Sequence, residues 1–138
     1  MKILVAIDGS KPSLKAVQQL IAHCDWYREP PKVELLAVHL PVPRVAHTNK
    51  AQLERYYREE GESMLAAAKK KLDGAGIPYQ ARVLVGPVAE TVVKHAKEQR
   101  CDLIYIGTRG MSELGKALLG STATKVLHIS DIPVLLVK

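Results

Sequence analysis

The sequence predicts an α/β fold built on a mostly parallel sheet. Three observations carry that expectation. Short apolar runs rich in β-branched residues alternate with amphipathic helical stretches along the whole chain. No linker, internal repeat or low-complexity tract interrupts the alternation. Glycine-bearing turns directly follow the first and fourth apolar runs. Five strands joined by four helical crossovers require helices on both faces of the sheet, each crossover right-handed. The 138 residues, 47% hydrophobic and 25% charged, match one ordinary domain spanning 1–138 and exclude wholesale disorder. With no Phe and a single Trp, its core has to be aliphatic.

The elements follow in order. Lys2–Ile7 is a buried strand closed by the turn Asp8-Gly9-Ser10. Ser10 caps the helix that follows and Pro12 suits its first turn; Leu14, Val17, Ile21 and Cys24 form its expected core stripe. Trp26-Tyr27 is expected to cover the end of that helix, and Pro30-Pro31 ends the unit. Val33–His39 is the second strand, after which Pro41 and Pro43 force an irregular connection. A long helix from about Asn49 to Asp73 carries the stripe Leu53, Tyr57, Gly61, Leu65, Ala68, Leu72 and ends at Gly74 and Gly76. At about 37 Å it exceeds the return crossover a strand needs, so its first turns are expected to overhang the sheet. Tyr79–Val85 is the third strand, Val88–Glu98 a helix with Ala89, Val92, Val93 and Ala96 inward, and Asp102–Ile106 the fourth strand. A loop from Gly107 to Gly120 opens into a helix over Ser121–His128, and Val134–Val137 is the last strand.

Composition excludes several functions. Twenty Lys and Arg against fourteen Asp and Glu give a net charge of +6, but the cations divide evenly between the two halves of the chain. With no aromatic platform or basic helix face, nucleic-acid binding is not expected. No apolar run is long enough to span a bilayer, and the N-terminus does not resemble a secretory signal, so a cytoplasmic protein is expected. Cys24 and Cys101 lack metal-site spacing and are expected to be buried small hydrophobes. The five histidines form no ligand pair; His39, at a strand end, is within reach of the crevice there, but a core or rim position is expected.

In open parallel sheets, ligands sit beyond the carboxyl ends of the strands, where the strand order reverses. The two richest strand-to-loop junctions are Asp8-Gly9-Ser10 and Gly107-Thr108-Arg109-Gly110, which line one crevice if their strands are neighbours. The spacing Gly107-x2-Gly110-x9-Gly120-Ser121 suits a phosphate cradle, because glycine lets backbone N–H groups turn toward one point and the following helix N-terminus favours an anion. Arg109 and Lys116 add cations. The same glycines also suit tight turns in a long loop, and Asp8 also suits an Asx turn.

Asp8-Gly9-Ser10, the glycine series above and the closing Ile132-Pro133-Val134-Leu135-Leu136-Val137 resemble the universal stress protein family, in order and over the whole chain. The resemblance implies an open, Rossmann-like sheet of order 3-2-1-4-5 and, because the glycine pattern is intact, ATP binding. It implies that Gly107, Gly110, Gly120 and Ser121 surround ribose and phosphates, that Asp8 lies in the nucleotide pocket and that the Val38 backbone meets the adenine edge. A strand-end backbone can read an amino-purine edge, and Ile7 and Ile106 would supply apolar walls. The expected nucleotide-binding set is Asp8, Gly9, Ser10, Val38, Gly107, Arg109, Gly110, Gly120, Ser121 and Thr122; Thr122 stands where many members carry Val. Mg²⁺ held by Asp8 and the phosphates is a natural partner. In the implied order Val134, Leu135, Leu136 and Val137 form an apolar edge strand, which points to an antiparallel homodimer, the manner in which the family dimerises. The expected role is an ATP-binding stress-response or regulatory protein. The alternative is a slow ATP hydrolase or nucleotidyl-transferring enzyme, for which Glu113 and Arg109 are the loop candidates, without diagnostic spacing.

Overall fold

A computed structural model describes residues 1–43, 48–108 and 119–138. The chain runs β1 (Lys2–Ile7), α1 (Lys11–His23), a 3-10 turn (Cys24–Trp26), β2 (Lys32–His39), α2 (Lys50–Gly74), β3 (Tyr79–Val85), α3 (Val88–Glu98), β4 (Leu103–Gly107), α4 (Ser121–Ile129) and β5 (Val134–Val137). The five strands form one sheet in the order β3-β2-β1-β4-β5, and every pairing is parallel. The expected sheet, order and two-sided helical cover are all present. Element ends differ from expectation by a residue at β2, α2, β4 and α4. Asn49, expected to open α2, instead caps it: its side chain accepts from the Gln52 N–H while Gln52 reaches back to the Asn49 N–H.

Strand residues alternate between two aliphatic cores. Ile3, Val5 and Ile7 face α1 and α2, where they pack with Val17, Leu20, Leu65 and Leu72. Leu4, Leu36 and Ile104 face α3 and α4, where Val92, Val93, Ala96 and Val126 cover them. Because both faces are covered, the strands read as almost unbroken apolar runs. The α2 stripe is buried at Gly61, Leu65, Ala68 and Leu72, while Leu53 and Tyr57 are only half-buried, as expected of an overhanging start.

The α1 stripe is corrected. Its buried residues are Ser13, Ala16, Val17, Leu20 and His23, whereas Leu14, Ile21 and Cys24 are half-buried. Polar demand turns the helix. The Tyr105 hydroxyl lies in the core and needs partners, and finds them in His23 Nδ1 at 3.1 Å and the Tyr27 hydroxyl at 2.5 Å. His23, polar yet buried, turns inward to meet that hydroxyl. Trp26 stacks on the His23 ring at 3.6 Å between centroids but stays largely in solvent, so it shields the helix end on one side only. A second buried polar group, Glu34, takes His95 Nε2 at 2.9 Å, with Lys2 Nζ and Arg82 Nε each at 3.8 Å.

Candidate functional site

β1 and β4 are hydrogen-bonded neighbours in the centre of the sheet. From β1 the chain turns into α1 on one face, and from β4 it reaches α4 on the other. This is the reversal of strand order at which a crevice opens, so the two junctions picked out in the sequence lie side by side beyond the carboxyl ends of adjacent strands.

On the β1 side, the Asp8 carboxylate accepts the Ser10 N–H at 2.9 Å and thereby closes an Asx turn. Gly9 sits at φ +82°, a conformation glycine adopts without strain, and its α-carbon faces the backbone of Met64 in α2. Ser10 caps α1 by accepting the Ser13 N–H at 3.2 Å, and the Ser13 hydroxyl donates back to the Ser10 carbonyl at 3.0 Å. Asp8, Gly9 and Ser10 therefore each have a turn or cap function that fixes the shape of this rim.

On the β4 side, Gly107 is required by close approach to α1. A Cβ there would lie 2.6 Å from the Pro12 carbonyl oxygen and 2.7 Å from its carbon. Thr108, part of the expected junction but given no role there, closes the loop base. Its N–H donates to the Val137 carbonyl at 2.9 Å, and its carbonyl accepts the Gly120 N–H at 2.5 Å. The loop thus leaves and re-enters the fold at one point. Gly120 is the N-cap of α4 at φ −70°, ψ 159°, with no side-chain cap bond. Its carbonyl accepts both the N–H and the hydroxyl of Thr124, each at 2.9 Å. The first N–H groups of α4, at Ser121, Thr122 and Ala123, lie in the uncapped turn at the positive end of the helix dipole. Ser121 is exposed and Thr122 half-buried. Arg109 and Gly110 lie outside the described residues, as do Glu113 and Lys116.

At the end of β2, pairing with β1 stops at Ile7↔Ala37, whereas pairing with β3 continues to His39↔Val85. The His39 carbonyl accepts from Gly86 N–H at 3.0 Å on the β3 side. Successive residues of a strand turn their carbonyls to opposite sides, so the Val38 carbonyl faces the gap that β1 leaves beyond Ile7. The Val38 side chain itself is buried among Leu36, Ala89 and Val92. Ile7 and Ile106, expected as walls of one pocket, turn to opposite faces of the sheet and belong to the two cores.

The thiols are remote from this chemistry. Burial pushes the Cys101 thiol up to about 11, while Cys24 is half-exposed rather than buried as expected, its thiol raised by partial burial and then by Asp25. Among the described residues, no group of three or more His, Cys, Asp or Glu side chains can hold a metal ion. A hard cation sharing one carboxylate with phosphate oxygens and water needs no such group. No helix among the described residues is long and apolar enough to cross a membrane.

A reversal of strand order, with an Asx turn beyond β1 and the Thr108–Gly120 bond beyond β4, defines an open α/β protein with a covered parallel sheet. The comparisons name the class more narrowly. All of residues 1–138 match the model of the universal stress protein family, and the chain belongs to that family. It is 31% identical to universal stress protein YxiE of Bacillus subtilis, with 99% of this chain and 98% of that protein aligned. It is likewise 31% identical to universal stress protein MJ0577 of Methanocaldococcus jannaschii, over 91% of this chain and 80% of that protein. The solved structure of MJ0577 superposes with a TM-score of 0.83, covering 99% of this chain and 94% of that one, at 30% identity. A family protein from Arabidopsis thaliana solved with AMP bound shares the fold at a TM-score of 0.68 and 16% identity, covering 100% of this chain and 91% of that one.

Proposed function

We propose that this chain, as one unit over residues 1–138, is a cytoplasmic, ATP-binding regulatory protein of the stress response. In this reading the phosphates lie on the Gly107–Gly120 loop and the N-terminus of α4. Asp8 would help to hold a Mg²⁺ ion, which would offset the phosphate charge, and the Val38 carbonyl meets the exocyclic amine of adenine. Ser121 and Thr122 add hydroxyls at the helix entry, Gly9 and Ser10 shape the opposite rim, and Arg109 and Gly110 complete the loop. The observation that carries this reading is the Thr108–Gly120 bond, which closes the loop and delivers it directly into an uncapped helix turn. In this reading the nucleotide also meets the Asp8 turn and the outward Val38 carbonyl. An adenine nucleotide in an Arabidopsis protein of the same fold supports the choice of ligand.

The test is calorimetric titration of ATP with Mg²⁺ into wild type and Gly110→Asp. A carboxylate set among phosphate oxygens repels them, so the variant should lose ATP binding while its unfolding curve stays unchanged. Equal affinity in the two proteins refutes the assignment. In the same reading the chain binds ATP with at most weak hydrolysis; ADP release in the ordinary enzyme range of about 1–10³ s⁻¹ would instead make it a hydrolase. We also propose a homodimer in which β5, at the sheet edge with Val134, Leu135 and Leu136 only half-buried, pairs with its copy.

A further inference from the structure

His39, the last residue of β2, has a ring whose protonation pattern is set by one contact. Nδ1 lies 2.6 Å from the Leu40 carbonyl oxygen. A carbonyl only accepts, so Nδ1 carries the proton and the neutral ring keeps Nε2 as an acceptor. No described residue donates to Nε2. The ring is gripped edge-on by Tyr56 and Tyr57, with centroids 5.5 and 5.3 Å away. The Tyr57 hydroxyl in turn accepts the Val42 N–H at 2.9 Å and pins the chain that leaves β2. Seven residues along α2, about 10 Å at helical rise, Met64 packs against the Asp8–Gly9 turn. The overhanging half of α2 therefore walls the strip between the ends of β1 and β2. The Val38 carbonyl opens into this strip, and His39 stands at the same strand end.

We propose that His39 selects 6-amino over 6-oxo purines. Its Nε2 accepts one hydrogen of the exocyclic amine, and the other hydrogen serves the Val38 carbonyl. A 6-oxo purine brings an acceptor to the same place and faces two acceptors, so selectivity comes from repulsion as well as attraction. This inference rests on the nucleotide reading above and deepens it: the residue is absent from the expected binding set, and its ring chemistry names the base class.

The experiment measures the affinities of ATP and inosine 5′-triphosphate, each with Mg²⁺, for wild type, His39→Leu and His39→Gln by calorimetry at pH 8. One neutral hydrogen bond at a half-buried site corresponds to roughly three- to tenfold in affinity. Wild type should prefer ATP, and His39→Leu should narrow the ATP-to-ITP ratio by about that factor. His39→Gln, whose amide can accept from a 6-amine or turn to donate to a 6-oxo group, should bind both nucleotides and narrow the ratio as well. Because the ratio is taken within each variant, partial loss of folded protein cancels. A wild type that binds ATP without preferring it, or a ratio unchanged in either variant, overturns the role of His39 and leaves nucleotide binding standing. A wild type that binds neither nucleotide overturns both.

Discussion

Replacing Gly107 by alanine adds a single carbon, and the structure says where it goes. That carbon would sit 2.6 Å from the Pro12 carbonyl oxygen, 2.7 Å from the Pro12 carbonyl carbon and 3.1 Å from the Ser13 nitrogen. Contacts under 3.0 Å are essentially never seen for a Cβ, and all three atoms here are backbone in the first turn of α1. A long side chain could swing aside; this turn is held by the Ser10 cap and the Pro12 ring and cannot. Either α1 lifts from the sheet or β4 bends. Such overpacking costs about 1–3 kcal/mol, and removing glycine's excess chain entropy returns about 0.5–1 kcal/mol. The net expectation is a loss of roughly 1–2 kcal/mol, or about 3–7 °C in Tm for a chain of this length. Urea unfolding followed by circular dichroism without nucleotide is the assay, with an unchanged m-value expected. The absence of nucleotide matters, because a glycine needed only to admit phosphate would then be replaceable at no cost. A Gly107→Ala protein as stable as wild type would refute the packing argument.

The remaining expectations concern the cap, the edge and the thiols. Ser10→Ala removes the acceptor for the Ser13 N–H and should lower stability by about 1 kcal/mol in urea unfolding; a change of only a few tenths would mean that the cap contributes little here. Leu136→Lys places a charge on the half-buried β5 edge. It should move the protein from dimer to monomer on a calibrated sizing column, and an unaltered elution volume would remove edge pairing. Cys101, buried and raised to about 11, is a neutral thiol at pH 8. Iodoacetamide followed by mass spectrometry should therefore label half-exposed Cys24 well before Cys101, and equal rates would contradict that order.

Much of the fold was readable residue by residue. The bounds of β1, β3, α3 and β5 coincide with those expected, because apolar runs closed by glycine and proline turns leave few alternatives. The site was half legible. Asp8-Gly9-Ser10 and the run from Gly107 to Gly120 stood out because turns with special backbone demands need small residues, and those residues are visible in any sequence. The roles within the site were less legible. Whether Gly107 admits a ligand or a neighbouring helix depends on how closely α1 passes, and α1 is almost a hundred positions away along the chain. From sequence alone Thr108 has no evident role and His39 reads as a core or rim histidine, because neither belongs to a spacing pattern: one matters through its backbone, the other through a carbonyl that fixes its tautomer.

The sequence by itself determined the alternation of strand and helix, the two covered faces and the positions of the turns, since each follows from periodicity and local backbone preference within a few residues. Only the tertiary structure decided which face α1 buries, what Gly107 is for and which β2 carbonyl lies beyond the end of β1. Those outcomes depend on contacts between distant segments: a buried Tyr105 hydroxyl that draws His23 inward, a Pro12 carbonyl that leaves no room for a Cβ, and a β1 strand that ends early enough to bare the Val38 carbonyl. Local sequence carries no record of a partner that folding brings from elsewhere in the chain.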